Sequence, residues 1–498
     1  MRDGVVLRAD AWTPAGPGRW PVLLQRLPYG RAVASSPVLP HPEQLARRGY
    51  AVVVQDVRGR GGSDGRFVPF ADDADDGFDS VEWAATLPFC DGQVAMYGFS
   101  YQGLNQIAAA ALRPPSLRAI APMMCAPEPY EHWTYEHGCL RWPFVGRWAA
   151  QLAAQEAGAE PLAVDLAALP AARALGPEPP PWFREWLENP GGGAYWDALR
   201  PDLEAVEVPV FTVLGYFDDF ASGTEALFSR LGAEGVCGPW GHMPWGTRLG
   251  AMELGAGASP AVAHAALLAF FDRVLKGGPA AAARVTYYDH PTGWHAAPAW
   301  PPARTVDTWV ASSGGWANSR HGDGVLERAT SAPALDDRIV VEPLVPYPGG
   351  DDPLSEESAA EDRRDVLCYT TLPLERGLSL VGGFTLHARV AADAGTHDLV
   401  ASLVDVDVDG VARRLATGAA RIVAPAGEDH EVVVVSNPVA WTVGEGHRLR
   451  LDVSGARFPA YDRNAHTTAS LPAFATRQEC LVATLHVRRL RLELGVAC

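Results

Sequence analysis

The sequence contains almost no lysine. Lys276 is the one lysine in 498 residues, so nearly all of the positive charge is carried by arginine. A phosphate-binding loop of the Walker type requires a lysine, and a pyridoxal enzyme requires a lysine that forms a Schiff base. Lys276 ends an amphipathic stretch, where a cation interacts favourably with the C-terminal end of the helix dipole. We therefore interpret it as structural. Both classes of chemistry are therefore excluded.

Positive charge is scarce as a whole, and long apolar runs are missing. The 59 acidic residues outnumber the 41 basic residues and give a net charge of −18. Such a chain repels polyanions, so we expect no nucleic-acid partner. No run reaches the roughly 18 apolar residues of a membrane span. The N-terminus alternates like a strand and lacks the apolar centre of a signal peptide. We therefore expect no membrane partner and a cytoplasmic location.

Metal-binding and cofactor-binding patterns are also missing. The cysteines show no CxxC spacing, and we expect buried, reduced thiols at Cys90, Cys125, Cys139, Cys237, Cys368, Cys480 and Cys498. His132, His137 and Cys139 lie close together, but no second ligand pair accompanies them. The segment 58–65 contains glycine and arginine but lacks the strand–GxGxxG–helix context of a nucleotide site. We expect no metal and no cofactor.

The first part of the chain alternates apolar runs with helical stretches. The runs 22–25, 51–55 and 93–97 have the character of short strands, and 42–48 and 75–87 have the character of helices. This alternation predicts a mostly parallel sheet covered by helices.

Two changes of pattern divide the rest. Residues 126–203 are rich in Ala, Leu, Trp and Pro and predict a helical insertion, after which the strand pattern resumes. After about residue 285, short alternating strands with frequent turns predict a β-sandwich or jelly roll. We expect an α/β domain over 1–127 and 206–284, a helical cap over 128–205 and a jelly-roll β domain over 285–498.

Ser100 lies in the sharpest local motif. The segment 94–104 reads as a strand, a tight turn with Ser100 at its tip, and a helix. A nucleophile elbow needs small residues around the serine, because its strained backbone packs against neighbouring elements. In place of the usual G-x-S-x-G, Gln102 occupies the second position after the serine and Gly103 the third. A helix-capping serine in a glycine-rich turn is the alternative interpretation.

Candidate partners follow in the order Ser, Asp, His that α/β-hydrolases use. Asp218 lies just beyond the strand predicted over 208–215, and His242 ends the short apolar run 236–242. The neighbouring Asp219 is the alternative acid. The three residues together predict nucleophilic catalysis by serine.

The sequence resembles the family of serine hydrolases that contains cocaine esterase, the X-Pro dipeptidyl-peptidases, the α-amino-acid ester hydrolases and the glutaryl acylases. The resemblance covers nearly the whole chain and lies in segments 3–5, 28–30, 55–63, 91–94, 98–103, 215–218, 238–242, 271–277, 364–367 and 403–406. The elbow of this family has a Ser-Tyr pair with glycine three residues after the serine, which is the spacing of Ser100, Tyr101 and Gly103.

The resemblance implies an α/β-hydrolase fold with an inserted helical cap and a C-terminal jelly roll. It also implies a triad of Ser100, Asp218 and His242, and an oxyanion hole formed by the backbone N–H of Tyr101 and the hydroxyl of Tyr29. Donors held in place beforehand stabilise the charged oxygen of a tetrahedral intermediate. Packing in a turn is the alternative role for Tyr29.

Aromatic residues of the cap are candidates for an acyl-binding pocket, with ordinary packing inside the cap as the alternative. These candidates are Trp133, Tyr135, Trp142, Phe144 and, two residues after the acid, Phe220. Relatives that accept a free α-amino group hold it with acidic residues, for which the candidates are Glu128, Glu131, Glu136 and Asp219.

The sequence therefore predicts a serine hydrolase that cleaves an ester or amide of a small molecule with an apolar or aromatic acyl group, through an acyl-enzyme. An X-Pro-type or other amino-terminal peptidase, and an acyltransferase or cyclase of secondary metabolism, would use the same triad. A non-catalytic carbohydrate-binding protein is a further alternative, against which the complete set of Ser, Asp and His argues. The oligomeric state stays open, with a homodimer as one option.

Overall fold

The first part of the chain forms a mostly parallel sheet between helices. The computed structural model describes residues 1–32, 38–160, 163–281, 283–350 and 354–497. Its first strands are β1 (Ala9–Trp12), β2 (Trp20–Leu27), β3 (Ala51–Asp56), β4 (Cys90–Phe99) and β5 (Leu117–Met123). The first helices are α1 (Pro42–Ala46), α2 (Asp73–Ala85) and α3 (Tyr101–Ala111). The strands follow the order β1-β3-β2-β4-β5, with β1 antiparallel to β3 and the other pairs parallel.

A mainly helical segment interrupts this pattern after β5. It contains the hairpin of β6 (Tyr135–Glu136) and β7 (Cys139–Leu140) and the helices α4 (Trp142–Ala157), α5 (Pro181–Glu188) and α6 (Ala194–Asp197). These elements lie within residues 128–205, for which the sequence predicts a helical cap. Its interior is an aromatic cluster that includes the buried Trp133, Trp148, Trp182, Trp186 and Trp196.

The sheet then continues beside β5. The returning elements are β8 (Phe211–Gly215), α7 (Ala221–Leu231), β9 (Glu234–Gly238), the hairpin β10 (Arg248–Leu249) and β11 (Met252–Glu253), α8 (Ala261–Lys276), β12 (Val285–Asp289) and β13 (Gly293–Ala297). The backbone N–H of Met124 donates to the carbonyl oxygen of Val213 at 2.9 Å, which joins β8 to the end of β5. The order on this side is β8-β9-β12-β13.

The boundary predicted after residue 284 falls before the last two strands of this sheet. β12 pairs in parallel with β9, and β13 pairs antiparallel with β12. The α/β sheet therefore extends to Ala297 and includes residues that the sequence assigns to the β domain. The composition of a five-residue strand can indicate that it is a strand, but it does not indicate which other strand it pairs with. The sequence therefore does not show that β12 and β13 belong to the α/β sheet.

Helix α8 bears on the expectation that the chain has no membrane partner. By length and mean hydropathy alone, the segment Ala256–Lys276 is apolar enough to cross a membrane. In the structure its buried side chains, among them Leu267, Phe270 and Phe271, belong to a core cluster shared with the sheet. The helix therefore packs as part of the α/β core.

The C-terminal part is rich in β-strands, as the sequence predicts. Its elements are β14 (Arg304–Ser312), β15 (Val325–Arg328), β16 (Asp337–Val341), β17 (Pro348–Gly349), α9 (Ser358–Glu361), β18 (Val366–Thr370), β19 (Leu378–Gly382), β20 (Thr385–Ala392), β21 (Thr396–Val406), β22 (Ala412–Val423), β23 (His430–Val435), β24 (Val439–Val443), β25 (Arg448–Ser454), β26 (Phe458–Pro459) and β27 (Ala483–Ala497). The long β27 pairs antiparallel with β14, β16, β19 and β20 and so ties the strands together. The jelly-roll connectivity stays a prediction.

Short 3₁₀ helices connect several of these elements. They span Ala171–Arg173, Leu203–Ala205, Ala256–Ala258, Pro472–Phe474 and Arg477–Glu479. Five of the cysteines, Cys90, Cys125, Cys139, Cys237 and Cys368, are buried free thiols, and Cys480 is half-buried. Cys498 lies outside the described residues.

Candidate active site

Ser100 lies at the turn between β4 and α3. Its backbone has φ 62° and ψ −131°, a conformation that costs energy for a residue with a side chain. The turn is held in place because the N–H of Ser100 donates to the carbonyl oxygen of Met123 at 3.0 Å. The side chain is almost fully buried, with 5% of the residue exposed. This is the strained strand–turn–helix geometry expected of a nucleophile elbow.

The glycine spacing of the elbow follows from the packing of α3. A Cβ atom on Gly103 would lie 2.6 Å from the Sγ atom and 2.7 Å from the Cβ atom of Cys125, so only glycine fits this position without a shift. Gln102, at the position where the usual motif has glycine, is buried and its Oε1 accepts from the Nε2 of Gln25 at 2.9 Å. In this chain helix α3 therefore makes its close approach to Cys125 at Gly103, the third residue after the serine.

Asp218 and His242 meet at the same edge of the sheet. Asp218 follows β8, and His242 follows β9, its parallel neighbour. The His242 Nδ1 and Asp218 Oδ1 atoms are 2.6 Å apart, and the Asp218 side chain is fully buried. The His242 ring lies 5.3 Å from the ring of Phe99, the residue before Ser100. The structure thus brings Asp218 and His242 together beside the turn of Ser100.

The protonation of His242 is set by two opposing effects. Burial disfavours the charged imidazole, but the charge of Asp218 and its hydrogen bond favour it, with Asp219 adding to the attraction. The net result is a pKa of His242 above its usual value. A carboxylate at Nδ1 also fixes the tautomer in which Nδ1 carries a proton and Nε2 is the acceptor.

Asp219 is turned toward the cap. Its Oδ1 lies 3.3 Å from the Nη2 of Arg141, and its side chain is 31% exposed. Arg141 also donates to the carbonyl oxygen of His132 at 2.6 Å and lies over the ring of Phe220. Arg141 therefore ties the loop that carries both aspartates to the cap.

Tyr29 lies in the loop after β2, with its hydroxyl group beside Ser100. Ser100 is among the groups that influence the pKa of this hydroxyl, and the hydroxyl accepts a hydrogen bond from the indole Nε1 of Trp148 at 3.0 Å. Burial raises the pKa of Tyr29 to about 12. The phenol therefore stays protonated near neutral pH and is able to donate.

Tyr101 is the first residue of α3, directly after Ser100. The first N–H groups of a helix have no acceptor within the helix. The side chain of Tyr101 points into the interior, where its hydroxyl donates to the Oδ2 of Asp73 at 2.5 Å. The anchored side chain fixes the position of the backbone N–H beside the serine.

Three of the predicted acyl-pocket residues form one aromatic group next to His242. The rings of Trp133 and Phe220 stack at 4.5 Å, and Phe144 meets Phe220 edge-on at 4.9 Å. Phe220 in turn lies 5.4 Å from the ring of His242. The group therefore borders His242 directly.

The other two candidates, Tyr135 and Trp142, make their polar contacts elsewhere in the cap. The hydroxyl of Tyr135 donates to the carbonyl oxygen of Trp186, and its ring stacks on Tyr130 at 5.1 Å. The indole of Trp142 donates to the carbonyl oxygen of Leu166 at 3.0 Å. Both contacts belong to the packing of the cap, which is the alternative interpretation that the sequence leaves open.

The acidic candidates for an amine-binding site all have partners. Glu128 pairs with Arg200, Glu131 accepts from the N–H of His137, Glu136 accepts from the hydroxyl of Tyr461, and Asp219 pairs with Arg141. Glu136 and Asp219 line a cavity of about 120 Å³. It lies between the cap, the β domain and the segment 216–220 that carries Asp218 and Asp219, here called the acid loop. Of the four carboxylates, Glu128 and Asp219 already have an arginine as counter-charge.

The histidines of the cap hairpin are separated from the nearby cysteine. Burial lowers the pKa of His132 to about 3. Glu131 lies between His132 and His137, with its Oε1 at 3.8 and 3.7 Å from their Nδ1 atoms. Cys139 packs instead against side chains of the β domain. In the part of the chain that the structure describes, no three His, Cys, Asp or Glu side chains are grouped as metal ligands.

Comparison with known proteins identifies the family. Residues 3–244 match the sequence profile of the X-Pro dipeptidyl-peptidase (S15) family, and residues 278–481 match that of the X-Pro dipeptidyl-peptidase C-terminal non-catalytic domain. Cocaine esterase from Rhodococcus sp. (strain MB1 Bresler) is 31% identical, over 94% of this chain and 91% of its own length. The chain belongs to the cocaine esterase and X-Pro dipeptidyl-peptidase family. It is a serine hydrolase of small-molecule ester or peptide substrates.

Solved structures agree with this family in fold. An aminopeptidase from a marine sediment Thaumarchaeota archaeon superposes with a TM-score of 0.88 at 22% identity, over 100% of this chain and 95% of that chain. An α-amino acid ester hydrolase superposes with a TM-score of 0.85 at 22% identity, with the same coverage. The predicted α/β-hydrolase fold with a β-rich second domain is confirmed.

Trp148 is the neighbour of the site that sequence reasoning missed. It lies 119 positions from Tyr29, which its indole contacts. Nothing in a tryptophan-rich cap distinguishes the one indole that reaches the site from those that only pack, so no signal in the sequence could have found it.

Proposed function

We propose that this serine hydrolase cleaves esters of small aromatic or apolar carboxylic acids, with Ser100 as nucleophile, His242 as general base and Asp218 as the acid that orients the imidazole. One observation carries the assignment: the 2.6 Å contact of Asp218 with His242, beside the strained turn of Ser100. A buried carboxylate, an imidazole and a serine in this relation form the arrangement that activates a hydroxyl group for attack.

The reaction proceeds in two steps through an acyl-enzyme. The Oγ of Ser100 attacks the ester carbonyl carbon while the Nε2 of His242 accepts its proton, and Asp218 stabilises the imidazolium that forms. The negative oxygen of the tetrahedral intermediate accepts hydrogen bonds from the Tyr101 N–H and the Tyr29 hydroxyl. His242 then returns the proton to the departing alkoxide. Water, activated by the same histidine, releases the acid from the serine.

The acyl group is proposed to bind against Trp133, Phe144 and Phe220. Phe144 is half-buried and lines the cavity beside Asp218, and Phe220 borders His242. Aromatic rings prefer offset-stacked or edge-to-face neighbours, and such contacts contribute about 0.5–1.5 kcal/mol beyond the burial of their area. A benzoyl-like acyl group is therefore favoured over a short alkyl group.

An ester is favoured over the peptide substrates of aminopeptidases. The four carboxylates that could bind a free amino group are engaged by Arg200, the His137 N–H, Tyr461 and Arg141. Removing a partner from a buried or half-buried charge is costly. An amino terminus bound at Glu128 or Asp219 would therefore have to compete with Arg200 or Arg141.

A panel of chromogenic substrates tests this proposal. We expect p-nitrophenyl benzoate to give a higher kcat/KM than p-nitrophenyl acetate, and both to exceed aminoacyl and X-Pro p-nitroanilides. Ser100→Ala should lower kcat by roughly 10³ to 10⁶-fold, because the triad acts as a unit. A phosphonate reagent should label Ser100 in the unmodified protein. Labelling of another serine would contradict the triad, and faster turnover of the p-nitroanilides would contradict the ester preference.

A further inference from the structure

A side chain of the cap donates a hydrogen bond to Tyr29, the proposed oxyanion donor. The indole Nε1 of Trp148 donates to the hydroxyl oxygen of Tyr29 at 3.0 Å. Tyr29 follows β2, and Ser100 follows its parallel neighbour β4 at the same edge of the sheet. An indole has one N–H donor and no acceptor, whereas a phenol both donates and accepts. The oxygen of Tyr29 is therefore the acceptor in the contact with Trp148. Its own proton is left for the space around Ser100.

The ring of Trp148 is held in a fixed orientation by its neighbours. Trp148 lies on α4 with 6% of its surface exposed. Its ring is nearly parallel to those of Phe70 and Trp186, at 6.4 and 5.9 Å, and meets Trp133 edge-on at 5.7 Å. Close packing on several sides leaves a buried side chain in one rotamer. The N–H therefore points at Tyr29 before any substrate is bound.

The helix that carries Trp148 is itself fixed to the loop of Tyr29. The guanidinium group of Arg60 donates from Nε to the carbonyl oxygen of Pro28 at 2.9 Å, and from Nη1 to that of Leu152 at 3.1 Å. Pro28 precedes Tyr29, and Leu152 lies one helical turn after Trp148. One buried side chain thus sets the distance between the donor and the acceptor.

From this geometry we infer that Trp148 is a positioning residue for the oxyanion hole. It occupies one acceptor site of the Tyr29 oxygen and so directs the phenolic proton toward the substrate carbonyl oxygen. Stabilisation of a developing charge is strongest when the donor needs no reorientation during the reaction. The inference rests on the proposed roles of Ser100 and Tyr29, and it assigns part of the catalytic geometry to the cap.

The test compares Trp148→Phe in two backgrounds, with and without Tyr29→Phe. The substrate is p-nitrophenyl acetate, whose small acyl group reduces any effect of the aromatic pocket. We expect Tyr29→Phe to lower kcat by roughly 10² to 10³-fold. Trp148→Phe should lower kcat by about tenfold in the parent and by less than twofold in Tyr29→Phe, with KM within threefold, because its effect passes through the missing hydroxyl.

A matched control and a second variant separate positioning from packing. Trp182 belongs to the same aromatic cluster, 5.6 Å from Trp148, so Trp182→Phe makes the same truncation and should affect both backgrounds equally. Trp148→His removes more of the ring than phenylalanine does but keeps an N–H at a similar reach, so it should be more active than Trp148→Phe. Melting temperatures identify any variant that fails to fold.

The outcomes distinguish failure of the positioning role of Trp148 from failure of the proposed catalytic roles of Tyr29 and Ser100. Equal losses from Trp148→Phe in both backgrounds, or a Trp148→His enzyme less active than Trp148→Phe, would overturn the positioning role. If Tyr29→Phe retains more than half of the parent kcat, the oxyanion role of Tyr29 fails and the positioning role fails with it. Full activity of Ser100→Ala would instead refute the proposed triad.

Discussion

At the scale of single residues, burial separates two adjacent carboxylates. Asp218 is fully buried against His242, whereas Asp219 is partly exposed against Arg141. A buried carboxylate that accepts from Nδ1 holds the imidazole in the productive tautomer. A carboxylate on the other side of the same loop acts on His242 only through its charge. Loss of the negative charge is therefore expected to affect catalysis differently at Asp218 and at Asp219.

We predict that Asp218→Asn lowers kcat by about 10⁴-fold, the magnitude known for loss of a triad acid, whereas Asp219→Asn lowers it by less than about tenfold. The charge of Asp219 contributes to the raised pKa of His242. In the parent, kcat/KM should rise with pH to a midpoint above 6.5, the usual value for histidine, because the base must be neutral. Asp219→Asn should move this midpoint to lower pH.

Steady-state rates on one ester between pH 5 and 9 measure both effects. Each variant serves as the control for the other, because both convert one carboxylate of the same loop into an amide. A larger loss of kcat in Asp219→Asn than in Asp218→Asn would assign the triad acid to Asp219.

At the scale of elements, the elbow depends on the close approach of α3 to the end of β5. We predict that Gly103→Ala lowers the free energy of unfolding by about 1–3 kcal/mol, because its Cβ would meet Cys125 at 2.6–2.7 Å. The displaced helix would also move the Tyr101 N–H, so kcat should fall. Gly191→Ala is the matched control, since nothing lies within 4 Å of its added Cβ. Equal melting temperatures for the two variants would contradict this account of the spacing.

Elements that depend on local patterns can be predicted from the sequence, whereas those that depend on long-range packing cannot. The parallel strands and the serine turn are local patterns, and the order of Ser100, Asp218 and His242 follows from where parallel strands end. The partner of β12 is a matter of long-range pairing, so the sheet extends past the predicted boundary to Ala297. The aromatic residues of the cap look alike in sequence. Only packing shows that Phe144 borders Phe220 while Tyr135 stacks on Tyr130.

At the scale of the whole molecule, the β domain supports both the cap hairpin and the acid loop. The Nδ2 of Asn437 donates to the carbonyl oxygen of Tyr216 at 3.0 Å, two residues before Asp218. The Oδ1 of Asp462 accepts from the N–H of Leu140 in β7 at 3.0 Å. The backbone N–H of Arg421 donates to the carbonyl oxygen of His137 at 2.9 Å. The acid loop and the cap hairpin are therefore both held by hydrogen bonds to the β domain.

The buried ion pairs of Arg421 are the centre of this support. Its guanidinium group donates to both oxygens of Asp398 and of Asp462 at 2.8–3.0 Å, and the three side chains are at most 6% exposed. We predict that Arg421→Met lowers the free energy of unfolding by about 3–5 kcal/mol, because two buried carboxylates lose their counter-charge. Arg389→Met is the control. It breaks the exposed pair with Asp429, whose side chains are 44% and 34% exposed, and should cost at most about 1 kcal/mol. Thermal melting of both variants at neutral pH measures the difference in stability. We also expect a lower kcat for Arg421→Met, because Asp462 holds the cap hairpin as well. A melting temperature of Arg421→Met equal to that of Arg389→Met would show that the β domain does not stabilise the site through this cluster.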